Sequence, residues 1–521
     1  MPHVAAPRSQ MEVLADGHQR NSIYQCVGGA RECVPQKCVS AGHSRIISCA
    51  DGWPRRCGTQ SRGPVAIPAA IPAPRIARAR SVARGKRPCY TGGMITLAVA
   101  LSLALQTGPV TNPPPAVDAS TLHKKVLCGY QGWFRAAGDG GSEWDHWNRD
   151  WNSPPAPNTP GALTFDLWPE TREYDHQYAV PGFTRPDGSP AFLYSAADPA
   201  AMDKHFDWLR DYGLDGVVLQ RFVTQLPPDN VQAWKSNVLH SVRAAANRTG
   251  RVFCLEYDLS GAARSRLFSQ LTNDWIQLAR TEKLTQDPRY LHENGRPVLF
   301  IFGFYPERFP DPALPKNIIA WFKTNPVCPV TLIGSGWWNW RAGATGEWTN
   351  IYRSFHGYCP WNTGNYTWVA GGGATNKYAA TGNWPGDAAA AKDAGMFLLP
   401  QLYPGFSWDN LQRQPPGTSK IPRLGGDFLW KQFYDAARAG LDMAYVGMFD
   451  EVDEGTAIFK VTSSPPIQGY FATYEGLPPD WYLRLTAEGA KMLRGESPIQ
   501  RKMPLAPPAE IKKSSSMENE Q

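Results

Sequence analysis

From Val126 onward the chain repeats a two-part pattern. A short apolar run rich in β-branched and aromatic residues is followed by a longer stretch with apolar positions three and four apart. The runs are Val126–Tyr130, Gly216–Phe222, Val252–Tyr257, Pro297–Phe302, Val330–Gly334, Ser354–Tyr358, Met396–Leu402 and Met443–Phe449. They lack apolar–polar alternation, so each reads as a strand buried on both faces, as in a parallel sheet. Between them, Asp198-Pro199 offers an N-cap and a proline for a first helical turn. Met202, Phe206 and Leu209 follow at helical spacing, and Gly213 stops the pattern. Val231, Trp234, Val238 and Val242 form a second stripe. Leu267, Leu271, Trp275 and Leu278 form a third, and Phe428, Leu429, Phe433 and Ala437 a last one. Such stripes are packing faces. Eight strand–helix units predict an α/β fold, a (β/α)8 TIM barrel, occupying residues 123–496.

The flanks lack this pattern. Residues 1–93 are rich in Arg, Pro, Gly and Ala and read as a disordered leader, or as a translation start set too early. Met94 opens an apolar run, Ile95–Leu105, shorter than the ~20 residues that cross a bilayer. Residues 94–108 therefore read as a signal-peptide-like segment with Arg84, Lys86 and Arg87 before it, which predicts secretion to a periplasmic or extracellular location and no stable membrane span. Residues 109–122 form a Pro-rich linker, and 497–521 a polar, disordered tail.

Charge and cysteine divide at the same place. The chain carries 53 Lys+Arg against 46 Asp+Glu, but residues 1–120 hold 14 and 5 of these, leaving 39 and 41 for the remainder. The barrel is thus slightly acidic and has no electrostatic footprint for nucleic acid. Gly371-Gly372-Gly373 has no following Lys and reads as a loop, not a phosphate cradle. The ten cysteines include no Cys-x-x-Cys pair, so neither a zinc framework nor a cofactor is expected.

A barrel of this kind keeps its chemistry at the C-terminal ends of its strands. The eighth run leads into Asp450-Glu451-Val452-Asp453-Glu454-Gly455-Thr456, four carboxylates in five residues. Glu451 and Glu454 are three apart, so in a tight turn both can face one cavity. Two carboxylates in different environments are what glycosidic cleavage requires, one protonated and one ionised. The third run ends in Glu256-Tyr257-Asp258, either acid of which could add a further carboxylate; Asp258 could equally cap the following turn. Tyr130 ends the first run and Trp133 follows it, Arg221 lies at the end of the second, and Trp338, Trp361 and Tyr403 follow the fifth, sixth and seventh. The long first loop adds His146 and Trp168. With 20 Trp and 12% aromatic residues, these positions describe a cleft suited to a polyhydroxylated ligand. Asp450 and Asp453 complete the expected substrate contacts.

Four stretches, Gly129–Phe134 (GYQGWF), Tyr257–Gly261 (YDLSG), Tyr403–Trp408 (YPGFSW) and Met448–Thr456 (MFDEVDEGT), resemble the glycoside hydrolase family 71/99-like proteins over about Lys125–Gly495. The last is also similar to the Asn-Glu-Trp-His-Glu-Gly-Thr signature of the family 99 endo-α-mannosidases and endo-α-mannanases. The resemblance implies that Glu451 assists the substrate 2-hydroxyl through a 1,2-anhydro sugar, that Glu454 is the acid/base, and that configuration is retained. Asp450, Val452 and Asp453 stand where that signature has Asn, Trp and His.

These readings converge on a secreted, monomeric glycoside hydrolase acting within an α-linked oligosaccharide or polysaccharide. Two other readings of the same residues remain open: a glycan-binding barrel without turnover, and a metal-dependent hydrolase using the acidic loop.

Overall fold

The computed structural model describes residues 115–157, 161–228, 233–365 and 378–507. The leader, the signal-like segment, the start of the linker, Val231, Gly371-Gly372-Gly373 and the tail beyond residue 507 lie outside the described residues.

One curled, parallel sheet forms the centre. Its strands are β1 (Val126–Tyr130), β2 (Gly216–Phe222), β3 (Val252–Asp258), β4 (Arg296–Phe302), β5 (Thr331–Gly336), β6 (Gly357–Pro360), β7 (Phe397–Leu398), β8 (Gln401–Leu402) and β9 (Ala444–Val446). They run in the order β7-β6-β5-β4-β3-β2-β1-β9-β8. β7 and β8 are two pieces of one stretch, so the two ends of the sheet meet there. Leu399 N–H donates to Tyr358 O (3.0 Å), and Pro400 O accepts from Tyr445 N–H (3.1 Å). Pro400 has no N–H to give to a ladder, which is why the single expected run Met396–Leu402 divides at that point. The ring is the expected (β/α)8 barrel. Every residue of β1, β3 and β5 is buried, as the unalternating runs require.

Helices fill the outer layer: α1 (Pro199–Asp211), α2 (Ala233–Thr249), α3 (Arg264–Ile276), α4 (Ala313–Thr324), α5 (Glu347–Arg353), α6 (Trp384–Asp393), α7 (Asp427–Arg438) and α8 (Trp481–Arg494). Asp198 caps α1, its carboxylate accepting from Ala200 N–H (3.0 Å), worth about 1 kcal/mol. Met202, Phe206 and Leu209 bury against the sheet, as their spacing predicts. Among the described residues no helix is long and apolar enough to cross a membrane.

The structure is more regular at the flanks than composition suggests. Leu122 is buried and donates its N–H to Glu293 (2.6 Å), while Arg251 donates to Pro115 O (2.6 Å), so residues 115–122 are tied to the barrel floor. Residues 497–507 also dock: Arg501 O accepts from Trp430 Nε1 (3.1 Å), and Met503 and Leu505 pack on the core. Few apolar residues suffice where each finds a prepared partner. The loop after β1 holds an antiparallel ribbon, Tyr178–Thr184 with Pro190–Leu193, which strand counting overlooked.

Candidate active site

The acidic segment follows β9 at the C-terminal end of the barrel. Chain 448–458 folds back on itself: Ala457 N–H donates to Glu451 O (2.7 Å) and Ile458 N–H to Phe449 O (3.1 Å). Three neighbours hold this loop from outside. Asp166 N–H donates to Val452 O (2.9 Å) and Ser407 N–H to Glu454 O (2.9 Å). Arg423 donates to Gly455 O (2.7 Å) and Ala457 O (2.9 Å), with its guanidinium over the rings of Tyr474 and Tyr482. Gly455 has φ +60°, and a Cβ there would meet the Ser407 backbone at 2.7 Å. Only glycine allows this approach.

Within the loop the four acids take different roles. Asp450 is buried and accepts from the N–H groups of Gln131 (2.8 Å) and Gly132 (2.9 Å). It staples the β1 loop to the β9 loop and is not the expected sugar contact. Burial pushes its pKa up to about 6 against those two donors. Glu451 is also buried, and its Oε1 accepts from Asp453 N–H (3.0 Å) and Glu454 N–H (3.4 Å). Asp453 is buried beside it, with its Oδ2 3.3 Å from His146 Nδ1. Burial drives both carboxyls upward, and their proximity to each other and to Glu454 adds to the rise at Glu451. Glu454 is half-buried, so the pair singled out from sequence is brought together in two unlike environments.

His146 reaches this group from the first loop. Its ring stacks on Trp133 (4.0 Å, 8°) and its backbone takes φ +62°, which costs a non-glycine residue about 1 kcal/mol. Trp133 is 3% exposed, packed on His146 and Phe222, so it serves as a bed for His146 and presents no free face to a sugar.

Several expected contacts lie elsewhere. Tyr130 is fully buried, its hydroxyl 2.6 Å from His205 Nδ1; Tyr174 reaches the other ring nitrogen at 2.6 Å. Tyr403 is fully buried in a second core cluster with Phe428, and its N–H donates to Gln432 Oε1 (3.3 Å). Arg221 points out of the barrel, where it pairs with Asp274 on α3 (2.6 and 2.7 Å) together with the Tyr257 hydroxyl. Trp168 is buried, donates to Phe192 O (3.0 Å) and lines a polar cleft of about 330 Å³ with Glu170, Arg172 and Arg185, apart from the acidic loop. Tyr130 and Arg221 lie within strands, where period-two alternation decides the facing and one residue reverses it, whereas Trp168 and Tyr403 lie in loops that fold their rings into packing.

Asp258 sits at the end of β3 and accepts from Ser260 N–H (2.7 Å), the turn-capping role. Two positions before it, Glu256 shares its face and points into the barrel. Glu256 is fully buried, bonded to the Ser335 hydroxyl, to Tyr445 OH (3.0 Å) and to Gln220 Nε2 (3.4 Å). Burial pushes its pKa up to about 7 against those donors. Of the two acids the sequence offers as a further carboxylate at this strand end, it is the one inside the barrel. Trp361 is half-buried above this group, its ring against Phe302 (4.5 Å) and Tyr445 (6.0 Å). Trp338 is half-buried on the β5 loop. Among the described residues no three His, Cys, Asp or Glu side chains converge in a metal-holding arrangement.

No protein-family model and no curated protein matches the chain. Among solved structures, it is similar to the GH99 endo-alpha-mannosidase from Bacteroides thetaiotaomicron, with a TM-score of 0.53 and 18% identity over 72% of this chain and 99% of that one. The same enzyme in complex with bis-tris-propane matches with a TM-score of 0.51, 17% identity and the same coverage. The likeness shows a shared (β/α)8 fold along nearly the whole of that enzyme.

Proposed function

We propose that this chain is a glycoside hydrolase cleaving an α-linked glycan or polysaccharide from within, with retention, and that Glu451 and Glu454 are its working carboxylates. The observation that carries the reading is their placement. A buried Glu451 and a half-buried Glu454 share one tight loop at the C-terminal mouth of a barrel whose fold is that of an endo-α-mannosidase. Retaining cleavage uses two carboxyl groups in unlike surroundings, one exchanging protons with the glycosidic oxygen, the other acting on the sugar. Glu454 gives its proton to the leaving oxygen and later takes one from water. Glu451 acts on the 2-hydroxyl or directly at the anomeric carbon. Burial, with the neighbouring Asp453, pushes the Glu451 carboxyl well above its ordinary range, so turnover is expected to rise with pH through its ionisation. Of the aromatic positions expected to hold a sugar, Trp338 and Trp361 remain half-buried.

The test is a depolymerisation screen on α-mannans and α-glucans, followed by Glu451→Gln and Glu454→Gln made separately. Each variant is expected to lose at least about 1000-fold in kcat on the substrate the parent cleaves, the order by which removing an essential acid, base or nucleophile lowers turnover. Near-parental turnover in either variant removes that residue from the mechanism. Tight glycan binding with no product on long incubation makes the chain a binding barrel instead. Secretion belongs to the same reading; recovery from the medium with the segment to residue 108 removed supports it, and an intact cytoplasmic chain opposes it.

A further inference from the structure

Glu451 and Asp453 form a buried pair of acids with too few donors. Glu451 Oε1 receives two backbone N–H groups, at 3.0 and 3.4 Å. Asp453 Oδ2 faces His146 Nδ1 at 3.3 Å. The remaining oxygens, Glu451 Oε2 and Asp453 Oδ1, are buried with no hydrogen-bond partner. An ionised carboxylate only accepts, so two such oxygens side by side in a closed site are costly. The Asp453 N–H bond to Glu451 Oε1 (3.0 Å) sets the two buried carboxyls on one short turn, and a single proton between them supplies the missing donor.

We propose that Glu451 and Asp453 share one proton, and that His146, donating from Nδ1, holds Asp453 as the ionised member, so that the proton rests on Glu451. His146 and Asp453 are then positioning residues for Glu451. The consequence for turnover rests on the glycoside hydrolase reading; the protonation state does not. The geometry of His146 fits the role. Its ring is fixed by the stack on Trp133 and by edge contact with Phe134 (5.9 Å), and its backbone carbonyl accepts from Thr164 Oγ1. A strained backbone held in this way by its surroundings places a ring deliberately.

The other charges around the pair oppose its second ionisation. Asp450 and Glu454 lie in the same loop, and Asp166 approaches from the first loop. Lys235 on α2 donates to Gly132 O (3.3 Å) beside the staple, and its charge acts on Asp450. The last proton leaves the pair for solvent, or for a substrate oxygen, only against this ring of acids.

Two substitutions move the titration in opposite directions. Asp453→Asn removes the neighbouring charge and lets Glu451 ionise more readily. His146→Phe keeps an aromatic ring on Trp133 but withdraws the donor, so the doubly ionised pair becomes harder to form. The carboxylic C=O stretch is followed by infrared difference titration of the full chain without substrate, with Glu451→Gln identifying the band. The band is expected to persist at neutral pH in the parent. Its midpoint should fall by about one pH unit in Asp453→Asn and rise by about one in His146→Phe. His146→Asn, which returns an N–H near the Nδ1 position, should bring it back. The acid limb of kcat/KM should follow the same shifts. No Glu451-dependent band at neutral pH, unmoved midpoints, or shifts in one direction for both variants overturn the proposal. Opposed infrared shifts in a chain without glycosidase activity sustain the pair and reject the hydrolase reading. Full activity with unmoved midpoints does the reverse.

Discussion

Asp450→Asn keeps the shape of the staple but offers one acceptor where Gln131 and Gly132 present two N–H groups. One donor then faces an amide NH2, and a stability loss of about 2 kcal/mol is expected in urea denaturation. Glu256 predicts a pH dependence. Its folded pKa lies near 7, above the ordinary carboxylate value, so the folded chain binds this proton more tightly than the unfolded chain. The stability it supports is full below about pH 4.5 and is lost as pH rises toward 7. Glu256→Gln, free of that titration, should gain on the parent across this window, by on the order of 3 kcal/mol at its upper end, and then hold constant. Denaturation midpoints of both chains from pH 4 to 8 check this; a difference that does not change with pH removes the buried carboxyl as its cause. Residue chemistry was legible where crowding itself was the signal: four acids in five positions pointed to the candidate site. It was not legible for Tyr130, Arg221 and Tyr403, because residue type does not say which side of a strand or loop faces the cavity.

At the scale of elements, the runs of apolar residues located the strands, and β1 and β2 begin and end where the pattern does. The run expected at Ser354–Tyr358 became β6 at Gly357–Pro360 because α5 extends to Arg353 and the connecting turn takes Ser354. Instead, His356 Nδ1 accepts from Leu332 N–H (2.9 Å). The loop after β9 was visible as acidic but not as a folded object. Its shape comes from Gly455, Arg423, Asp166 and Ser407, which are far apart in sequence. Gly455→Ala forces a Cβ onto the Ser407 backbone at a positive φ. It should lower kcat/KM at least about tenfold by displacing Glu454, with a stability cost of about 2 kcal/mol. Unchanged kinetics in a folded Gly455→Ala chain would show that this backbone contact does not position the acid. Arg423→Met strips two buried carbonyls of their donor and should cost about 2 kcal/mol in the same assay.

At the scale of the whole molecule, residues 497–507 close over α7. Ending the chain at Gly495 exposes Trp430 and removes the contacts of Met503 and Leu505. The melting temperature is expected to fall by about 3 °C or more, read by calorimetry; an unchanged value would make this docking energetically neutral. By itself the sequence determined the barrel, the order of its strand–helix units and the end at which the acidic segment lies. All of these follow from hydrophobic periodicity, which is local and repeated eight times. It also placed Glu451 and Glu454 together, since three residues of chain cannot separate them far. Only the tertiary structure decided which of the four acids staples the loop, which is paired and which is half-exposed. Those assignments depend on donors from Gln131, Gly132 and His146, more than 300 positions away, and on how completely each carboxyl is withdrawn from water.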